Sequence, residues 1–242
     1  MSDIYNSKDS QFPNFVEPDN TNVAINGSDS IFDNEYSQVP FPLSETQDQD
    51  FQIDWDFIGA REGKGVNKGY IPKYPDGTIM GKSGLTIATG WDVGQMSLEE
   101  LQASGLPPEI INKVRPFVGL KKEEAQAKYK ELGAPMLEEG ESDIIDEFTR
   151  NRTVSQLSQN YNKATGKSFK DLTPGQQTAM ASVGFQFGTN LEKATPNFWK
   201  QTTTGDWEGA IKNLLDWEST GEASEYQDRR ELEAGLLGWV PA

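Results

Sequence analysis

Ser83-Gly84-Leu85-Thr86-Ile87-Ala88-Thr89-Gly90-Trp91-Asp92-Val93-Gly94-Gln95 is the stretch on which the reading of this chain turns. Leu85 to Thr89 has the β-branched, apolar make-up of a strand, and glycines punctuate it on both sides. Glycine lets a second backbone or a ligand come close. Asp92, set between Gly90 and Gly94, is therefore a carboxylate in unusual surroundings. Thr86 and Thr89 both compete as its hydroxyl neighbour. Three positions apart, they face the same way only if the strand is irregular.

Upstream, residues 70–92 read as short strands and turns. Tyr74-Pro75-Asp76-Gly77 has the order of a tight turn, which makes Asp76 a turn residue rather than an acid. A second notable carboxylate is Glu62, in Phe57-Ile58-Gly59-Ala60-Arg61-Glu62-Gly63. It closes a short apolar stretch just before a Gly-rich loop, where half-burial would raise its pKa toward that of a general acid. Perturbed carboxylates are often structural, so spacing alone leaves both roles open for Glu62 and Asp92.

Downstream the text turns helical. Ser97-Leu98-Glu99-Glu100 is a capping box, and Gly105 with Pro107 closes that helix. Lys121 to Leu132 reads as a charged surface helix. Ser142 to about Lys163 reads as a longer one, with Ile144, Ile145, Phe148 and Leu157 pointing inward. Thr173-Pro174-Gly175-Gln176 is a second capping box with Pro at the first helical position, opening a helix that buries Ala179, Met180, Val183 and Phe187. Further helices start at Thr195-Pro196, span Asp206 to Trp217, and close the chain from Tyr226 to Leu237. A small irregular β region followed by a helical lobe is an α+β pattern.

Composition narrows the chemistry. The 242 residues hold no cysteine and no histidine. That removes thiolate nucleophiles, disulfides, His-based Ser and Cys triads, and the usual hydrolytic zinc sites. Carboxylates with tuned pKa values are what remains for acid–base work near neutral pH. Asp48, Asp50, Asp54 and Asp56 cluster without the glycine and terminal glutamate of a calcium loop, so neither a metal nor a cofactor is expected. The net charge of -16 disfavours nucleic acid and anionic membranes. No run of about 20 apolar residues suggests membrane insertion. Met1-Ser2-Asp3-Ile4-Tyr5-Asn6 lacks the basic and apolar regions of a signal peptide. Synthesis in the cytoplasm is expected, with export by other machinery.

Residues 1–50 differ from the rest. Ten acidic residues face one basic residue, Lys8, among Asn, Ser and Pro with scattered anchors such as Phe12, Phe15, Ile31 and Phe41. Without a sustained period, such a segment cannot offset its ordering entropy alone. It reads as a disordered arm, or one ordered by a partner, ahead of a folded domain over residues 51–242.

The residues from Phe57 to Ala125 resemble the activity domain of the pesticin family, whose killing domain is a phage-type lysozyme. The likeness is carried by Glu62-Gly63, by the Gly84-Leu85-Thr86 to Asp92-Val93-Gly94-Gln95 run, and by the helix from Leu98. It extends, more loosely, through Gly184-Phe185-Gln186-Phe187-Gly188, Thr195-Pro196 to Trp199, Asp206-Trp207, Asp228-Arg229-Arg230 and Glu233 to Leu237. The first 50 residues fall outside it.

The resemblance implies a phage-type lysozyme fold that cleaves the β-1,4 bond between N-acetylmuramic acid and N-acetylglucosamine. It puts the family's glutamate on Glu62, its threonine on Thr86 and its aspartate on Asp92. The implied chemistry is inverting: Glu62 as acid, Asp92 with Thr86 holding a water, the carboxyl groups roughly 6.5–9.5 Å apart. It also implies that Gln95 and Gln186 face the glycan, although amides bridging two lobes would look the same. Arg229 and Arg230 read better as helix ion-pair partners than as substrate clamps. Tyr161, Trp199 and Trp217 read as packing. The expected setting is a phage or prophage product acting on the periplasmic wall, as an endolysin or as a virion component. In the latter, residues 1–50 would dock it to a phage structural protein. A bacteriocin or secreted effector, and a non-catalytic structural subunit, are the alternatives.

Overall fold

The structure, a computed structural model, describes residues 51–62, 65–217 and 223–241, with the side chains of Glu62 and of residues 223–226 outside that description. The arm expected over residues 1–50 lies outside the described residues.

The α+β expectation holds. Three short strands, β1 (Val66–Tyr70), β2 (Thr86–Ala88) and β3 (Trp91–Asp92), form an antiparallel sheet in the order β1-β2-β3. Only the last two lie within the region the sequence marked as strands and turns. β1 starts at Val66, ahead of it, because its polar Asn67-Lys68-Gly69 core carries no strand signature. A single 3-10 turn over Val93–Gln95 leads to α2 (Leu98–Gln102), α3 (Pro108–Val114) and α4 (Lys122–Leu132). The Ser97 capping box forms as read, with Glu100 answering on the cap backbone. Pro107, expected to end that helix, is also the cap of α3, with Pro108 at the first helical position. Leu85, Ile87, Trp91, Leu101, Ile110 and Phe117 pack as the core of this lobe.

α5 (Glu141–Thr165) is 25 residues long, about 37 Å at 1.5 Å per residue. Its first half buries Ile145 and Phe148 in the sheet lobe, and its second half buries Leu157 and Tyr161 in the helical lobe. Ile144, expected inward, is 41% exposed, since it lies one residue off the buried stripe. The helical lobe comprises α1 (Trp55–Glu62), α6 (Pro174–Phe187), α7 (Leu191–Ala194), α8 (Pro196–Thr204), α9 (Trp207–Leu215) and α10 (Ala223–Leu236). Met180, Val183, Phe198, Leu214 and Ala234 fill its core with Ile58.

Helix α1 has no periodic signature. Asp54 starts it by accepting from the Phe57 N–H at 2.8 Å. The backbone of residues 52–54 is in turn held by α6: Gln52 N–H donates to Gln177 Oε1 and Asp54 N–H to Thr178 Oγ1, each at 2.9 Å. Asp54 is thus a helix cap. Trp55 meets Phe185 edge-on, and Arg150 of α5 lies over the Trp55 ring.

Candidate active site

Gly84 and Gly94 make the site for Asp92. A Cβ on Gly84 would fall 2.4 Å from Leu120 O and 2.7 Å from Gly94 Cα, and a Cβ on Gly94 would meet the same carbonyl. Only glycine lets these two backbones touch. Their N–H groups then converge on one carboxylate: Gly84 N donates to Asp92 Oδ1 and Oδ2 at 3.1 and 3.2 Å, and Gly94 N to Oδ1 at 2.9 Å. Gln95 Nε2 adds a donor to Asp92 Oδ2 at 3.2 Å while also donating to Lys82 O at 2.9 Å. Burial raises the Asp92 pKa. The hydrogen bonds from Gln95, Gly84 and Gly94, with the Lys121 charge, pull it back.

Thr86 stands directly opposite Asp92 in the β2–β3 ladder, so the two side chains share a face. Tyr70 stands opposite Thr86 in the β1–β2 ladder. The three form one row across the sheet, and all three line a cleft of about 320 Å³. Thr89 lines it too, because the strand breaks after Ala88, whose φ is 53°. Its hydroxyl, however, donates to Asp146 Oδ2 of α5 at 2.6 Å, and its N–H to Asp146 Oδ1 at 3.0 Å. Thr89 therefore ties the hairpin to α5, and Thr86 is the threonine beside the carboxylate.

The other wall comes from α5, through Thr149, Arg152, Thr153 and Gln156, and from the end of α6 around Gln186. Gln186 Oε1 accepts from Arg230 Nη2, and the residue lines the cleft. Arg230 and Glu233 are fully buried and paired at 2.6 Å, while Arg229 Nε reaches Glu233 Oε1 at 3.2 Å. Ser182 Oγ donates to the same carboxylate at 2.5 Å. Both arginines are thus held by an ion-pair network inside the helical lobe.

Glu62 closes α1, and its side chain lies outside the described residues. Its neighbour Arg61 stacks on Phe57 at 3.6 Å. Burial, and then the Arg229 charge, lower the Arg61 pKa. Asp76 accepts from the Thr78 N–H and hydroxyl at 2.9 and 2.6 Å, which holds its pKa low. It is a turn residue. Tyr161 and Trp199 are buried, and Trp217 packs on Phe187 and Phe198.

Tyr70 and Asp146 were missed in the sequence. Tyr70 sits in no motif, and its place in the row depends on an irregularity in β1. Asp146 is one acidic residue among many on a helix, and only the packing of α5 against the hairpin singles it out.

A family model described as "Pesticin: Bacterial toxin homologue of phage lysozyme, C-term" matches residues 52–208, more than half of the chain. The resemblance drawn from the sequence ran on into α10, which lies beyond the matched span. No curated protein matches the chain.

Proposed function

Because the chain belongs to the Pesticin family, bacterial toxin homologues of phage lysozyme, we propose that it is a muramidase acting on peptidoglycan by an inverting acid/base mechanism. The observation that carries this reading is the carboxylate of Asp92. Two glycine N–H groups and Gln95 fix it beside Thr86 on the floor of a cleft between a sheet and two helices.

In this mechanism Glu62, protonated, gives its proton to the glycosidic oxygen as the C1–O bond breaks. Asp92, ionised, takes a proton from a water held with the Thr86 hydroxyl. That water's oxygen bonds to C1 from the opposite face, leaving an α hemiacetal and a free hydroxyl on the neighbouring sugar. The charge of Asp92 also favours the oxocarbenium-like transition state. Gln186 presents its amide N–H groups to the glycan, held by Arg230. Gln95 serves Asp92 first.

Two measurements test this. Glu62→Gln retains the fold and loses about 10²–10⁴-fold in rate on purified peptidoglycan; a near wild-type rate removes Glu62 from the role of acid. NMR of fresh products shows the α anomer; a β anomer means retention and makes Asp92 a nucleophile.

The proposed setting is a phage or prophage product docked through residues 1–50 to a basic surface of the particle. Detection of the chain in purified virions supports it. A second reading, favoured by the family's description as toxin homologues, is an antibacterial toxin whose acidic arm engages a receptor or translocator. Killing of intact cells by added protein, lost on deleting residues 1–50, supports that one.

A further inference from the structure

We propose that Tyr70 is a substrate-binding residue of the cleft, its phenol hydroxyl donating to an oxygen of the sugar seated over Thr86 and Asp92. This rests on the glycoside hydrolase reading above and adds to it a residue outside the acid, base and threonine set.

The argument starts in the register of β1. Val66 pairs with Ala88 and Tyr70 with Thr86, so four residue steps on β1 match two on β2. The surplus backbone bulges outward and finds a second partner. Gly69 N–H donates to Pro135 O at 2.9 Å, Leu137 N–H donates to Asn67 O at 2.8 Å, and Lys68 bridges to Met136. Tyr129 Oη donates to Gly69 O at 3.1 Å. A Cβ at position 69 would fall 2.9 Å from Pro135 Cγ and 3.0 Å from Leu85 Cδ1, so glycine is needed there. A bulge re-aims the side chains that follow it. Here it delivers Tyr70 opposite Thr86, and so into the row that ends at Asp92.

The row orders the three side chains by reach. Adjacent strands lie about 4.8 Å apart, which puts Tyr70 two strand spacings from Asp92. The phenol extends further from the sheet than a threonine or an aspartate. Thr86 and Asp92 can share a water close to the sheet, while the longer Tyr70 side chain is left to reach a sugar lying over them. Burial first, and then the Asp92 charge, push the phenol pKa up, so it stays protonated and serves as a donor. Its chemistry suits hydroxyl, ether or acetamido oxygens, and its ring, in a cleft also lined by Pro72 and Met80, suits the C–H edge of a pyranose.

Tyr70→Phe keeps the ring and removes only the hydroxyl. The dissociation constant of N-acetylglucosamine tetramer and the kinetics on purified peptidoglycan are measured for the full chain and for this variant, with the melting temperature of each. A neutral hydrogen bond of this kind predicts binding weakened roughly three- to tenfold. KM should rise by a similar factor in a variant that still shows a cooperative melting transition. Unchanged binding and KM in Tyr70→Phe, with an active parent, overturns this inference alone. Loss of kcat with binding unchanged overturns it as well, since a substrate contact must register in affinity. An inactive parent removes the glycoside hydrolase reading and this inference with it.

Discussion

Asp92 is under opposing pressures that can be measured separately. Burial favours its neutral form, while two backbone N–H groups and Gln95 favour the ion. With the folded pKa raised above the unfolded one, the ionised carboxylate works against folding at neutral pH. That penalty is relieved as pH falls through the folded pKa. A base must be ionised, so the acid limb of kcat/KM should lie above the ordinary aspartate value of about 3.9. Gln95→Leu removes a hydrogen bond that lowers the pKa, so the limb should move to higher pH while the fold stays intact. A pH–rate profile checks this, and an unmoved limb would detach Gln95 from Asp92. Gly84→Ala is harsher, since its methyl would meet the Leu120 carbonyl at 2.4 Å. It should damage both stability and rate.

The hairpin that carries Thr86 and Asp92 is short and strained. Ala88 has a positive φ of 53°, which costs an L-residue roughly 1–2 kcal/mol. Its tip is held from outside, because Asp146 on α5 accepts both the N–H and the hydroxyl of Thr89. Nearby on the same helix, Phe148 packs edge-on against Trp91, and Arg152 pairs with Glu100 of α2 at 2.7 Å. α5 therefore positions the sheet lobe through three separate contacts. Thr89→Val removes one hydroxyl donor and should destabilise by about 1–2 kcal/mol. Its effect on turnover should fall on kcat more than on KM, because the hairpin tip moves relative to the helical wall. Denaturant titration and steady-state kinetics test both. A rate unchanged despite lost stability would make the contact structural only.

At the scale of the whole molecule, the helical lobe closes around charges. Glu233 is fully buried between Arg229 and Arg230. Removing one member of such a group leaves the others uncompensated, so Glu233→Gln should cost roughly 3–5 kcal/mol in urea unfolding. The N-terminal boundary gives a second whole-molecule prediction. Phe51 meets Phe169 at 6.1 Å, and residues 52–54 bond to Gln177 and Thr178 at the end of α6 opposite the cleft. Deleting residues 1–50 should spare glycan cleavage. Deleting residues 1–54 should also remove the Asp54 cap of α1, worth about 1 kcal/mol by itself, and lower the melting temperature. Equal melting temperatures for the two truncations would put the boundary elsewhere.

What the sequence determined by itself was local or compositional. The capping boxes at Ser97 and Thr173 were legible because a cap is written in four consecutive residues. The absence of histidine and cysteine narrowed the chemistry to carboxylates. The glycines around Thr86 and Asp92 marked a close approach before its geometry was known. The tertiary structure alone decided what depends on distant partners. Thr89 belongs to Asp146, 57 residues away. Gln95 turns to Asp92 and Gln186 to Arg230. Tyr70 joins the row because segment 135–137 takes up the surplus of β1. α1, too short for a periodic pattern, depends on Asp54 and on the face of α6. Apart from the local Gln95–Asp92 and Asp54–Phe57 bonds, the deciding hydrogen bond or ladder pair joins residues far apart in the chain, and no local periodicity encodes such a pairing.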